Sequence, residues 1–419
     1  MNYLQQFFNP RLRTIFLLGF ASGLPLALSG TTLQAWFTDS GVSITTIGFL
    51  SLVGIPYVFK FLWAPFLDKY IPMDSLGIRR GWIFISQFII VMILLIMSMQ
   101  SPQDTPIVLG GLALSLAFFS ASQDIAFDAY RTDLMRPQER GLGAAFSVTG
   151  YRIAMLVSGG IAWIIAEHIS WQISFIFMAI LMLISMLFSY RAPQPLYLNK
   201  KPLTLQQAIT EPFQEFIQRN KKNGVLILLF IVIYKLGDAF AGNLSTAFLL
   251  RGVNFTLTEV GLVTKSIGLG STLLGVFLGG IYLFKKGLYK SLLWFGILQA
   301  ITNLGFVFLS LVGKKYFIMV VIIALENLAG GMGTAAFVAF LMGLCNHRYS
   351  ATQFALFSAL AAVGRVYVGP LAGYGVEWYG WTSFFAITVL MALPGLLILQ
   401  ILRQDIELLE LQAPNMNKV

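Results

Sequence analysis

Long apolar runs alternate with short polar breaks along the whole chain. The runs lie near 13–37, 45–67, 81–99, 106–131, 143–165, 172–190, 224–249, 258–283, 289–311, 316–344, 352–376 and 381–402. Each approaches or exceeds the ~20 residues that a helix rising about 1.5 Å per residue needs to cross the hydrocarbon core of a bilayer. The pattern therefore predicts an all-α integral membrane protein of twelve transmembrane helices. They are expected to be continuous, because an unpaired backbone group is costly in lipid.

One polar break, 191–223, is far longer than the others and divides the chain into two six-helix halves, 1–190 and 224–403, followed by a tail, 404–419. Within this linker Leu203, Leu205, Ala208, Ile209, Phe213, Phe216 and Ile217 recur at roughly helical spacing. They describe either an amphipathic helix on the membrane surface or, since Pro212 interrupts the run, an irregular tether.

The halves echo one another, as a duplication predicts. Phe146-Ser147, Gly150-Tyr151-Arg152 and Gly159-Gly160 in the fifth helix correspond to Phe357-Ser358, Gly364-Arg365 and Gly369-Pro370-Leu371-Ala372-Gly373 in the eleventh. Trp171 and Trp381 open the next helix in each half. Glycines such as Gly150, Gly268 and Gly373 are expected where helices pack closely.

Composition agrees with this pattern: 57% of residues are hydrophobic and 11% charged, against about 25% charged in a soluble domain. The formal charge of +10 comes from short loops rather than one basic face, so no nucleic-acid partner is expected. With the N-terminus cytoplasmic, the inner loops take Arg11, Arg13, Arg191, Lys200 and Lys201 among many others, and the opposite loops only Arg251, Lys314 and Lys315. Both termini are therefore expected in the cytoplasm. Met1–Pro10 lacks the basic and apolar regions of a removable signal peptide.

A single cysteine, Cys345, excludes an intramolecular disulfide, and His168 and His347 fall in predicted loops, so no metal site is expected. No Gly-Lys-Ser/Thr phosphate loop occurs, and Gly268-Leu269-Gly270 lies inside an apolar run without the strand and turn of a nucleotide loop. ATP is not expected to drive this protein. With no intramembrane histidine and no nucleophile motif, it is not expected to be an enzyme.

The candidate chemistry is ionic. Lys60, Asp124, Asp128, Arg131, Arg152, Lys235, Asp238, Lys265, Glu326 and Arg365 fall in predicted spans, where each charge costs at least ~2.5 kcal/mol at the helix centre unless paired or hydrated. Asp124 and Asp128, four apart, share one helix face, and such acids suit proton coupling. For Asp128 the alternative is a structural pair with Arg131. Lys235 and Asp238 form either a neutralising pair or one that opens as substrate or proton binds. Glu326, beside Asn327 and a small-residue run, is a further coupling candidate.

After the second helix, Asp68-Lys69 and Gly77-Ile78-Arg79-Arg80 resemble the loop signature of the major facilitator superfamily. The resemblance implies a cytosolic latch, with which Arg131 is grouped. Longer strings resemble the AmpG muropeptide permease family: Gly19-Phe20-Ala21-Ser22-Gly23-Leu24-Pro25, Ser120 to Asp128, Glu139 to Gly160, Tyr234 to Gly242, Glu326 to Phe337 and Ala351 to Gly373. That resemblance implies a proton-coupled importer of anhydro-muropeptides (N-acetylglucosamine linked to anhydro-N-acetylmuramyl peptides). The implied setting is the bacterial inner membrane, serving cell-wall recycling and, in some hosts, β-lactamase induction. The proton gradient would replace any cofactor, and a monomer in the bilayer is expected.

Such a cargo is bulky, carboxylated and rich in hydroxyls. Lys60, Arg152, Lys235, Lys265 and Arg365 are candidates for its charges, with Asp124, Asp128, Asp238 and Glu326 for the proton. Gln34, Trp36, Gln123, Tyr151, Asn243 and Asn327 are candidates for sugar and amide contacts. The alternatives are a facilitator for another anion such as acetyl-coenzyme A, or a membrane receptor.

Overall fold

A computed structural model describes residues 10–134, 140–194, 211–220, 223–345 and 350–412. Six spans occupy the first half: α1 (Pro10–Asp39), α2 (44–69), α3 (Gly77–Ser98), α4 (Pro106–Leu134), α5 (140–168) and α6 (Trp171–Arg191). The second half begins with α7 (Gly224–Gly252), α8 (Leu257–Lys286), α9 (Leu288–Val312) and α10 (Tyr316–Gly343).

Eleven helices among the described residues are long and apolar enough to span a bilayer, and the last, Leu356–Ile401, has 46 residues. At 1.5 Å per residue that is about 69 Å, more than twice the ~30 Å hydrocarbon core. It divides at Gly380, whose φ of 72° breaks the helix, into α11 (350–379) and α12 (381–401). The twelve expected crossings are accounted for.

The expected continuity is not. α2 alternates between α pieces and two 3-10 stretches, Leu50–Gly54 and Lys60–Leu62. Pro56 and Pro65 lack the amide that would bond four residues back, which forces the irregularity. α7 breaks at Tyr234-Lys235, and π stretches interrupt α5 at Val157–Ile161, α7 at Phe248–Gly252 and α8 at Val263–Gly268. Such backbone is tolerated at membrane depth where protein, not lipid, surrounds it.

The described chain packs as two compact units. Of the described residues, unit 1 holds those within 10–42, 53–194 and 256–261, and unit 2 those within 43–52, 211–255 and 262–412. In unit 1, α1 lies directly on α5. A Cβ on Gly19 would stand 2.6 Å from Ser147 O, and one on Gly150 would meet the Phe16 carbonyl. In unit 2, α8 and α10 approach as closely, with a Cβ on Gly279 only 2.8 Å from Met332 Cα. Small residues permit these crossings.

The linker is helical over Glu211–Arg219, with Pro212 in the first turn, where its missing amide costs little. Phe216 is fully buried and meets Phe357 at 4.9 Å between ring centroids. Gln353 donates to Glu215 at 2.6 Å and Arg219 to the Leu344 carbonyl at 2.5 Å. The described part of the linker is thus a helix whose Phe216 and Ile217 pack into an apolar core of the same unit. Leu203, Leu205, Ala208 and Ile209 lie outside the described residues, as does the side chain of Phe213.

Gly150→Ala is expected to destabilise the protein by about 1–3 kcal/mol through overpacking. Gly110→Ala, with nothing within 4 Å of the added carbon, should be neutral or stabilising. Thermal unfolding in detergent compares the two.

Candidate functional site

Each unit holds one polar cluster, and backbone approach at glycines assembles the first. A Cβ on Gly23 would lie 2.5 Å from Tyr151 O, so α1 and α5 touch there. That closeness places Ser22 beside α4, where its hydroxyl donates to Asp124 Oδ1. Tyr57 joins from α2, its hydroxyl 3.4 Å from Ser29 Oγ. Lys60 is the foremost charged neighbour of Asp124, with Asp128 further removed in influence.

Gln123 is buried at 1% exposure, and neither amide atom has a partner among the described residues. A buried amide left open is costly, and Gln87 and Asn303 are likewise buried with no partner for either amide atom among the described residues. Asp128 behaves differently from Asp124: it pairs with Arg131 at 3.2 Å and its side chain is 55% exposed. Arg131 also donates to Ser147 Oγ at 3.0 Å. The structure thus forms the Asp128–Arg131 pair that the i,i+3 spacing allows.

The sugar-contact candidates lie in differing surroundings. Trp36 is buried, stacked on Trp171 at 5.9 Å and against Phe175 at 4.7 Å. Its ring is thus packed against two aromatic neighbours on α6. Gln34 is also buried. Tyr151 is half-buried near Asp124, and Arg152 is exposed.

The second cluster forms around the break in α7. Lys235 is the residue before the helix resumes at Leu236, and Asp238 lies in the resumed first turn, where an acid suits the helix dipole. Lys235 Nζ donates to Thr334 Oγ1 at 2.7 Å and lies 6.0 Å from the Phe337 ring centroid. Its charged neighbours are Asp238, Arg365 and Glu326. Glu326 Oε2 accepts from Asn327 Nδ2 at 2.8 Å, and Asn327 Oδ1 accepts from Thr272 at 3.1 Å. Asn327 is therefore engaged within the protein and orients Glu326. A Cβ on Gly268 would stand 3.3 Å from Asn327 Nδ2. Asn243 and Lys265 are half-buried in the same unit, and Arg365 is exposed.

Three of the candidate cations occupy irregular backbone: Lys60 in a 3-10 turn, Lys235 at the α7 break and Lys265 in the α8 π stretch. Ser22, Tyr57, Thr272 and Thr334 complete the clusters and do not stand out in the sequence. The signal for Ser22 and Thr334 is a hydroxyl amid small residues, Gly19 to Gly23 and Gly330 to Ala335.

In the expected latch, Arg79 meets Asp133 at 3.4 Å and Arg80 donates to the Tyr190 carbonyl. The side chains of Asp68 and Lys69 lie outside those described. No group of three His, Cys, Asp or Glu able to hold a metal occurs among the described residues.

Lys235→Met is expected to lower thermal stability more than the double variant Lys235→Met/Asp238→Asn. Removing one member of a buried charged group leaves the other uncompensated. Detergent melting curves of both variants decide.

Comparison with known proteins adds findings of three kinds. The family model of the Major Facilitator Superfamily matches residues 15–365. The anhydromuropeptide permease of Escherichia coli K12 is 50% identical over 406 residues, which cover 97% of this chain and 82% of that protein. Putative transporter AmpG 4 of Rickettsia felis is 34% identical, over 94% of this chain and 97% of its own length. Among solved structures, a point mutant of the nucleoside transporter NupG superposes with a TM-score of 0.73 at 16% identity, over 94% of this chain and 99% of that one. The D-xylose–proton symporter gives 0.66 at 14%, over 95% and 97%. At such identities the structural likeness concerns the fold.

Proposed function

The chain belongs to the major facilitator superfamily and within it to the AmpG muropeptide permease family, and on that premise we propose that it imports anhydro-muropeptides together with protons. It is a multi-pass membrane transporter rather than an enzyme. The cargo reading rests on 50% identity to the Escherichia coli permease across 97% of this chain.

The observation that carries the proton reading is Asp124. An acid in mid-span, hydrogen-bonded by Ser22 and neighboured by Lys60, has what a reversible proton site needs. Ionised, it is held by the hydroxyl and the lysine; protonated, it frees the lysine for an anionic guest. Asp238 and Glu326, grouped around Lys235, form a second such set. Gln123, Tyr151, Arg152, Lys265 and Arg365 are the further residues assigned to cargo.

In this reading the protein sits as a monomer in the bacterial inner membrane with both termini cytoplasmic. The proton gradient supplies the energy, and neither a cofactor nor ATP takes part. Imported muropeptide then feeds cell-wall recycling.

Vesicles holding the protein should accumulate labelled anhydro-muropeptide when a proton gradient is imposed, and a protonophore should abolish that accumulation. Accumulation that persists with the protonophore defeats proton coupling; absence of uptake defeats the cargo. Asp124→Asn and Glu326→Gln are each expected to keep exchange of muropeptide across the membrane while losing uphill accumulation. If both variants still concentrate cargo, neither acid carries the proton.

A further inference from the structure

The first turns of α2 and α8 repeat each other in sequence. Ser43-Ile44-Thr45-Thr46-Ile47-Gly48 corresponds position by position to Thr256-Leu257-Thr258-Glu259-Val260-Gly261. Each opens on a capping hydroxyl: Ser43 Oγ accepts from the Thr46 amide at 3.2 Å, and Thr256 Oγ1 from the Glu259 amide at 3.2 Å. Glu259 returns the bond, accepting from the Thr256 amide at 2.8 Å.

In both turns the amide two residues after the cap is taken by an acid from another helix. The Thr45 N–H donates to Glu377 Oε1 at 3.0 Å, and the Thr258 N–H donates to Glu167 Oε2 at 2.5 Å. These acids are equivalent in the duplication. Each stands eight residues after a glycine, Gly159 or Gly369, and four before a tryptophan, Trp171 or Trp381.

The glycines that follow, Gly48 and Gly261, face the helix that supplies the acid. A Cβ on Gly48 would meet the Gly369 carbonyl and lie 3.1 Å from Gly373 N, and one on Gly261 would lie 3.4 Å from the Trp163 ring.

These contacts hold pieces of chain that packing and connectivity assign differently. Residues 43–52 pack in unit 2 although α2 continues in unit 1 from Val53; residues 256–261 pack in unit 1 although α8 continues in unit 2 from Leu262. The chain changes unit inside the 3-10 stretch Leu50–Gly54, and one residue before the π stretch Val263–Gly268. Each clasped segment thus ends at irregular helix, where the backbone bends most readily.

We propose that Glu167 and Glu377 are a matched pair of carboxylate clasps, positioning residues whose release from the α8 and α2 amides sets the rate of the conformational step of transport. The idea rests on the transport reading but on no particular cargo. Both acids are exposed, so water competes for them. Each clasp should then bias its segment toward the closed form by only about five- to tenfold, enough to favour one state without trapping it.

Hydrogen exchange of the full chain in lipid nanodiscs reads the clasps without any cargo. Glu377→Ala should speed amide exchange across 44–49, and Glu167→Ala across 257–262, each about five- to tenfold. The glutamines Glu377→Gln and Glu167→Gln keep a neutral acceptor and should show smaller increases. Glu407→Gln, which disrupts only the surface pair with Arg403, should leave both segments unchanged. Unchanged exchange in both segments of the alanine variants overturns the proposal.

The second readout is exchange of labelled anhydro-muropeptide across vesicles. The double alanine variant should alter the maximal rate at least about threefold while the half-saturating concentration stays within about twofold. Faster amide exchange with an unaltered maximal rate would make the acids simple helix caps and also overturn the proposal. Should wild type move no muropeptide at all, the cargo reading fails; the same rate comparison is then made on accessibility of Ile44→Cys and Leu257→Cys to an aqueous maleimide in a Cys345→Ser background. Unaltered labelling rates there would again overturn the clasps.

Discussion

A charge inside a lipid-embedded bundle has to be held by another group of the protein or by water, because hydrocarbon holds nothing polar. Much of this structure follows from that constraint. Asp124 is held by Ser22 on α1, the helix that Gly19 and Gly23 let pack against α5. Lys235 is held by Thr334, and Glu326 by Asn327, itself held by Thr272. Close helix crossings are therefore the means by which the polar interior is supported, as well as a way of filling space.

The same constraint explains where the helices break. Irregular backbone costs hydrogen bonds, and in lipid that cost is high. Yet Lys60, Lys235 and Lys265 each sit at such a position. A distorted turn shifts a long side chain off the regular helical stripe and frees backbone groups to share its surroundings. Structural regularity has been given up at these three lysines, whereas Asp124 and Glu326 sit in unbroken helix.

Apolar run length makes the spans legible in the sequence, and even the 46-residue helix resolves into two once Gly380 is read as a break. The family is legible from long strings such as Tyr234 to Gly242. The breaks in α2 are announced by Pro56 and Pro65, but the expectation of unbroken helices overrides them. The partners of the buried charges are harder to find, because a serine or threonine among small residues has the same sequence appearance whether it holds an acid or fills a gap. Trp36 shows a related limit: an aromatic ring suits sugars, but its packing against Trp171 and Phe175 is not visible in the sequence. Glu167 and Glu377 escape notice because they stand at span ends, where charge is unremarkable; only the offset between duplicated halves marks them.

The two seams built from that duplication have diverged in kind. Where α2 meets α11, glycine faces glycine and backbone touches backbone; where α5 meets α8, Trp163 stands between them, its indole N–H given to Thr32 at 3.1 Å. The first seam is specified by the absence of atoms and so admits no intermediate variants, since any side chain is already too large. The second is specified by a particular side chain, which can be exchanged for others of graded size. One seam is therefore intolerant of substitution at its glycines, while the other can be adjusted in small steps through one side chain, so the two inherited copies differ in how finely they can be tuned.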